Sequence, residues 1–118
     1  TTISGGNCWL RVNNDSTASR HGQVSSGTTA ISFSDTKWAL GSSIATTGQN
    51  TIVVDFYNYT GTTNFKTAML YGFVQGAGSY NYTIAGLAYN QTTAITSLGI
   101  VPSGGTFAMG DYVLYGVN

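Results

Sequence analysis

Few residues in this chain could do acid–base, nucleophilic or metal chemistry. Among 118 residues there is one His, one Cys and four Asp, with no Glu. His21 follows Arg20 in a polar stretch. A nucleophilic triad built on it needs a Ser or Cys and a carboxylate delivered by the fold, and no Gly-x-Ser-x-Gly elbow is present. His21 is therefore read as a solvent-exposed or interface histidine. Asp55 and Asp111 are the pair a glycosidase would draw on, since that chemistry needs two carboxyl groups roughly 5 to 10 Å apart; nothing in the sequence brings them together. Asn13, Asn14 and Asp15 form an oxygen-rich cluster, but a single carboxylate is poor provision for calcium. The cluster reads as a turn held by side-chain-to-backbone bonds. Cys8, beside Trp9, reads as core filling, and one cysteine excludes an internal disulfide or a Cys-based zinc cage. The expectation is a non-enzymatic chain with no catalytic residue, no cofactor and no metal.

The tyrosines are the stronger signal. Tyr57, Tyr59, Tyr80, Tyr82 and Tyr89 flank turn-like segments. There they could stack on sugars beside Asn and Gln donors, or pack between subunits, where tyrosine is a favoured residue. Packing between subunits is the preferred reading. Asn-x-Ser/Thr sequons at Asn14, Asn58, Asn81 and Asn90 arise easily in a chain this rich in Asn and Thr, and matter only in a eukaryotic secretory setting.

The elements that must position these residues are strands. Charged residues are only 7% of the chain and formal net charge is zero, while 42% is hydrophobic and 13% aromatic. That combination excludes the low-hydrophobicity, high-charge signature of disorder. It also leaves no basic field for nucleic acid, and no apolar run is long enough to span a membrane. Thr, Tyr, Val, Ile and Phe favour strands, and Gly, Asn and Ser favour turns. Strands are expected at 8–12, 30–34, 37–40, 51–57, 65–75, 80–89, 94–101, 107–109 and 112–117. Residues 16–29 and 41–50 read as polar connections, Gly76-Ala77-Gly78 as a turn, and Pro102 as a breaker. The chain opens on Thr1 rather than Met, which reads as processing, a fragment or partial coverage. The expected fold class is all-β: a single-domain, antiparallel, jelly-roll-like β-sandwich over residues 1–118.

Three strands, at 51–57, 67–74 and 112–117, are apolar on both faces. A two-layer sandwich buries only one face of each sheet. Either loops fold over the second faces or neighbouring subunits cover them; with so little charge to hold copies apart, assembly is expected.

Three stretches resemble a family of small structural modules in tailed bacteriophages, found at the ends of tail, fibre and other virion proteins. The first is Leu10-Arg11-Val12-Asn13-Asn14-Asp15-Ser16. The second runs from Val54-Asp55-Phe56-Tyr57-Asn58-Tyr59 to Thr62-Thr63-Asn64-Phe65-Lys66-Thr67. The third begins Thr93-Ala94-Ile95-Thr96-Ser97-Leu98, passes Gly104-Gly105-Thr106-Phe107 and ends Leu114-Tyr115-Gly116-Val117. The chain departs from the family at Gly86-Leu87-Ala88-Tyr89, where members carry Trp, and at Ser19-Arg20-His21, where they carry Asn-Tyr. Members also have a strand before the first motif, where this chain has only Thr1 to Asn7. The resemblance implies a β-sandwich building block located in the virion, and carries no catalytic residue. Its implied partners are further copies of the chain, a trimer being favoured, and other capsid or tail proteins. The alternative is a fibre tip that binds host-surface glycan.

Overall fold

The computed structural model describes residues 6–25, 32–44, 49–76, 79–104 and 111–116. Among these residues every regular element is a strand: β1 (Gly6–Val12), β2 (His21–Ser25), β3 (Ser32–Asp35), β4 (Trp38–Ile44), β5 (Thr51–Tyr57), β6 (Lys66–Gly76), β7 (Ser79–Tyr89) and β8 (Leu98–Pro102). They form two antiparallel sheets, one ordered β4-β1-β8 and the other β3-β2-β7-β6-β5. The protein is an all-β sandwich.

The long hairpin of β6 and β7 organises the larger sheet, pairing from Lys66 opposite Tyr89 to Gly76 opposite Ser79. β5 adds to β6, with Thr51 opposite Phe73 and Tyr57 opposite Thr67. Side chains alternate across a strand, so Ala68, Leu70, Ala85, Leu87 and Tyr89 point inward. They meet Cys8, Leu10 and Val12 of β1 and Trp38 and Leu40 of β4 to form the core.

β2 occupies part of the stretch expected to be a loop, and its composition explains why it was hidden. Its inward positions, opposite Tyr89 and Leu87, are the polar residues His21 and Gln23. Both reach backbone of the other sheet. The Gln23 side chain donates to Ala39 O (3.0 Å) and accepts from Ala39 N (2.8 Å), acting as a peptide surrogate between layers. His21 Nε2 accepts from Val12 N–H at 3.3 Å.

Other boundaries also differ from expectation. β4 runs on to Ile44, and β8 starts at Leu98 and includes Pro102. Residues 94–97 lie outside any strand because Asn13 captures them. Its Oδ1 accepts from Thr96 N (2.7 Å), Thr96 Oγ1 (3.2 Å) and Ser97 N (3.2 Å), and its Nδ2 donates to Ala94 O (2.9 Å). Asn13 itself sits at φ 52°, a left-handed conformation that Asn tolerates better than most residues. Of the strand expected at 112–117, residues 112–116 are not in a strand and pair with none among the described residues. The expected strand at 107–109, the turn at 77–78, and Ala30, Ile31 and Val117 fall outside the described residues.

Candidate functional site

Two places in the sandwich gather unusual side chains. The first is the end of the core where β1, β2, β4 and β7 meet. The His21 ring lies 5.2 Å from the Trp38 ring in an edge-on arrangement and 5.1 Å from that of Tyr89. The Trp38 indole donates to Ala88 O at 3.3 Å. Tyr89 points its hydroxyl outward past these rings and donates to Asp15 Oδ2 at 2.7 Å. Asp15 in turn accepts from Thr17 N at 2.9 Å.

This arrangement is structural and does not assemble a triad. His21 is buried, contrary to the exposed or interface position expected for it, because β2 carries it inward between two aromatic rings. Its Nε2 lone pair is occupied by a backbone amide, so it cannot take a proton from a nucleophile. Tyr89 is only 2% exposed and is therefore removed from the set of surface tyrosines. In the oxygen cluster, Asn13 Oδ1 faces two amides and a hydroxyl. Among the described residues no three His, Cys, Asp or Glu side chains gather. Asp55 and Asp111 both stand exposed, Asp55 on β5 opposite Met69. Cys8 is a buried free thiol, and burial raises its pKa.

Partial burial acts to raise the Asp15 carboxyl, but the Thr17 amide and hydroxyl, the Tyr89 hydroxyl and the Arg20 charge outweigh it and hold it down at about 2. Burial, then the bond to Asp15 and its charge, push Tyr89 up to about 12 against a smaller opposing effect of Arg20. The lowered acid stabilises the fold above its ordinary value of 3.8, and that contribution fades as pH falls towards 2. The raised phenol stabilises below its ordinary value of 10.0, and its contribution fades as pH rises towards 12. Tyr89→Phe is expected to cost about 1 kcal/mol at neutral pH, the partly exposed carboxylate discounting the bond. It should also reduce the acid and alkaline slopes of stability, both measured by urea unfolding from pH 2 to 12. Unchanged slopes would contradict this assignment.

The second place is the outward face of β5, β6 and β7. Pair register sets Val53, Tyr71 and Ile84 side by side across the three strands, and Thr51, Phe73 and Tyr82 in the next row. Phe73 stacks on Tyr80, centroids 5.7 Å apart and planes 23° apart. All these apolar side chains are exposed, Tyr80 at 68% and Tyr82 at 73%. Between them lies a shallow, open depression of about 330 Å³, and the polar side-chain groups that its lining presents on this face are the hydroxyls of Thr51, Tyr71 and Tyr82. Tyr57 and Tyr59 are exposed too. Tyr57, however, is six residues along β5 from the Thr51 row, roughly 20 Å at strand rise. The exposed tyrosines among those singled out from the sequence thus divide into two groups, Tyr80 with Tyr82 and Tyr57 with Tyr59.

The sequence pointed to Tyr80 and Tyr82 but not to their company. Tyr71, Phe73 and Ile84 join them only through the β6–β7 register, which residue types do not reveal. The alternation of residues 67–74 was the available signal. Comparison with known protein families, with characterised proteins and with solved structures finds no match.

Proposed function

We propose that the chain is a non-enzymatic structural protein of a tailed-bacteriophage virion, assembling on itself and on other capsid or tail proteins through the outward face of β5, β6 and β7. The observation that carries this reading is the contiguous exposed apolar surface of Val53, Tyr71, Phe73, Tyr80, Tyr82 and Ile84. Soluble monomers seldom leave such a patch open, and a patch of this kind marks an interaction surface. Burying it would contribute about 25 cal/mol per Å² of apolar area. Zero net charge removes the repulsion that would oppose like copies. The virion setting rests on the resemblance of the three motifs to phage structural modules. The four passages of the chain between the sheets fit the jelly-roll-like wrapping expected of such modules.

The test is a charge placed in the middle of the face. Phe73→Lys and Tyr82→Lys should each weaken self-association at least about a hundredfold, because like charges meet across the contact, while far-UV circular dichroism stays unchanged. An unaltered assembly mass in both variants would remove this face from the interface.

The glycan-binding alternative draws on the same platform, since Tyr80 and Tyr82 present aromatic surface on which a sugar could stack. A sugar site also needs several convergent polar groups; among the described residues the depression's lining supplies hydroxyls, and the one amide nearby is Gln75, paired with Tyr80 at its edge. On that reading Tyr82→Ala abolishes cell adsorption and leaves assembly intact; on the assembly reading the order is reversed.

A further inference from the structure

The sandwich has an open flank and an undocked strand-like segment. β5 is an edge strand, and among the described residues nothing pairs with its outer edge. Its inward residues Ile52, Val54 and Phe56 are only half-buried, whereas Leu70 and Leu87 on the neighbouring strands are fully buried. The stretch leading into β8 is tied to the loop leaving β5, Ile95 N donating to Tyr59 O at 2.8 Å. β8 shows the same deficit: Ile100 pairs with the buried Leu10 and so faces inward, yet it is 44% exposed. Both edge strands, β5 and β8, thus leave inward side chains incompletely covered.

In the same chain Tyr112, Val113, Leu114 and Tyr115 are 68–85% exposed. The four are consecutive apolar or aromatic residues of high strand propensity, and their backbone has no ladder partner among the described residues. Gly116, at the end of the segment, lies beside the Tyr59 hydroxyl, 3.8 Å from where a Cβ would stand. The segment thus reaches the mouth of the open flank without being docked on it.

We propose that residues 111–116 of one copy add as a strand to the free edge of β5 in a second copy. The exchange satisfies both deficits at once. The donated backbone pairs with the β5 edge, a ready template for another strand. One set of its alternating side chains covers Ile52, Val54 and Phe56, and the other extends the outward apolar face. Eight residues separate Pro102 from Asp111, a reach of roughly 30 Å when extended, enough to pass to a neighbour. Exchange of an identical segment is a low-cost route to a closed assembly, reciprocal in a dimer or passed round a ring. This inference rests on the self-assembly reading and specifies how the copies are joined.

The test uses the full chain with Cys8→Ala. Val53→Cys and Val113→Cys are made separately in differently tagged chains, which are mixed, unfolded, refolded and treated with a thiol cross-linker. The linker should span the roughly 5 Å between neighbouring strands plus one residue of register. The expected product is a covalent heterodimer joining the two tags, and Val113→Pro, which blocks strand pairing, should weaken association at least tenfold. If a third variant that carries Val53→Cys and Val113→Cys in one chain cross-links within single chains instead, each copy completes its own sheet and the proposal is overturned. It is also overturned, with the assembly reading left standing, if Val113→Pro keeps the native mass while Phe73→Lys loses it. A native protein that is monomeric overturns both.

Discussion

Trp38→Ala is expected to lose about 3–5 kcal/mol of folding stability, the range for removing a fully buried large aromatic. That is a large share of the roughly 5–15 kcal/mol that holds a domain together. Trp38 has no exposed surface and packs against His21 and, at 6.0 Å between centroids, Phe56. It thereby bridges β4 of one layer to β2 and β5 of the other. Its removal opens a cavity between the two layers and strips the His21 ring of its edge contact. Trp38→Phe separates the contributions, keeping much of the volume while losing the indole bond to the Ala88 carbonyl, and should cost about 1–2 kcal/mol. Urea unfolding of the two variants measures both. A Trp38→Ala loss under 1 kcal/mol would mean that the layers do not meet at this side chain.

Lys66→Ala should cost about 3–4 kcal/mol, with Lys66→Met losing about half of that. Lys66 opens β6 and is fully buried, its Nζ donating to Asn64 O at 2.7 Å and Thr92 O at 3.0 Å. It thus ties the loop before β6 to the segment after β7. Met retains the packing of the aliphatic stem and strands only the two carbonyls. Because Asn64 and Thr92 are themselves exposed, water can recover part of that loss. Ala removes the stem as well and leaves a void. Should Lys66→Met prove as stable as the native chain, burial of the amine would cost as much as its two bonds return.

The fold was legible where side chains follow the pleat. β5 matches its expected span of 51–57 because Ile52, Val54 and Phe56 alternate with Val53, Asp55 and Tyr57, and the β6 and β7 runs carry the same period over longer stretches. β2 was not legible because the residues it buries, His21 and Gln23, are polar and find their partners on the opposite sheet. Residues 112–115 have the residue types of a strand, but residue types alone do not supply a neighbour. Tyr89 illustrates a finer point. It shares a strand with Tyr80 and Tyr82 but lies an odd number of residues from each, so the pleat turns it inward. Parity along β7 would have separated it from the surface tyrosines. What no parity argument supplies is the register between strands, and that register makes one continuous surface of Tyr71, Phe73, Tyr82 and Ile84.

The proposed assembly joins copies of the chain through this apolar face. Absolute mass by light scattering after size exclusion, at low and at high salt, tests it most directly. A contact with few charges is little affected by ionic screening, so a dimer or trimer of the same mass is expected at both salt concentrations. A monomer at both would contradict it and would leave the exposed face to a ligand or to a different protein.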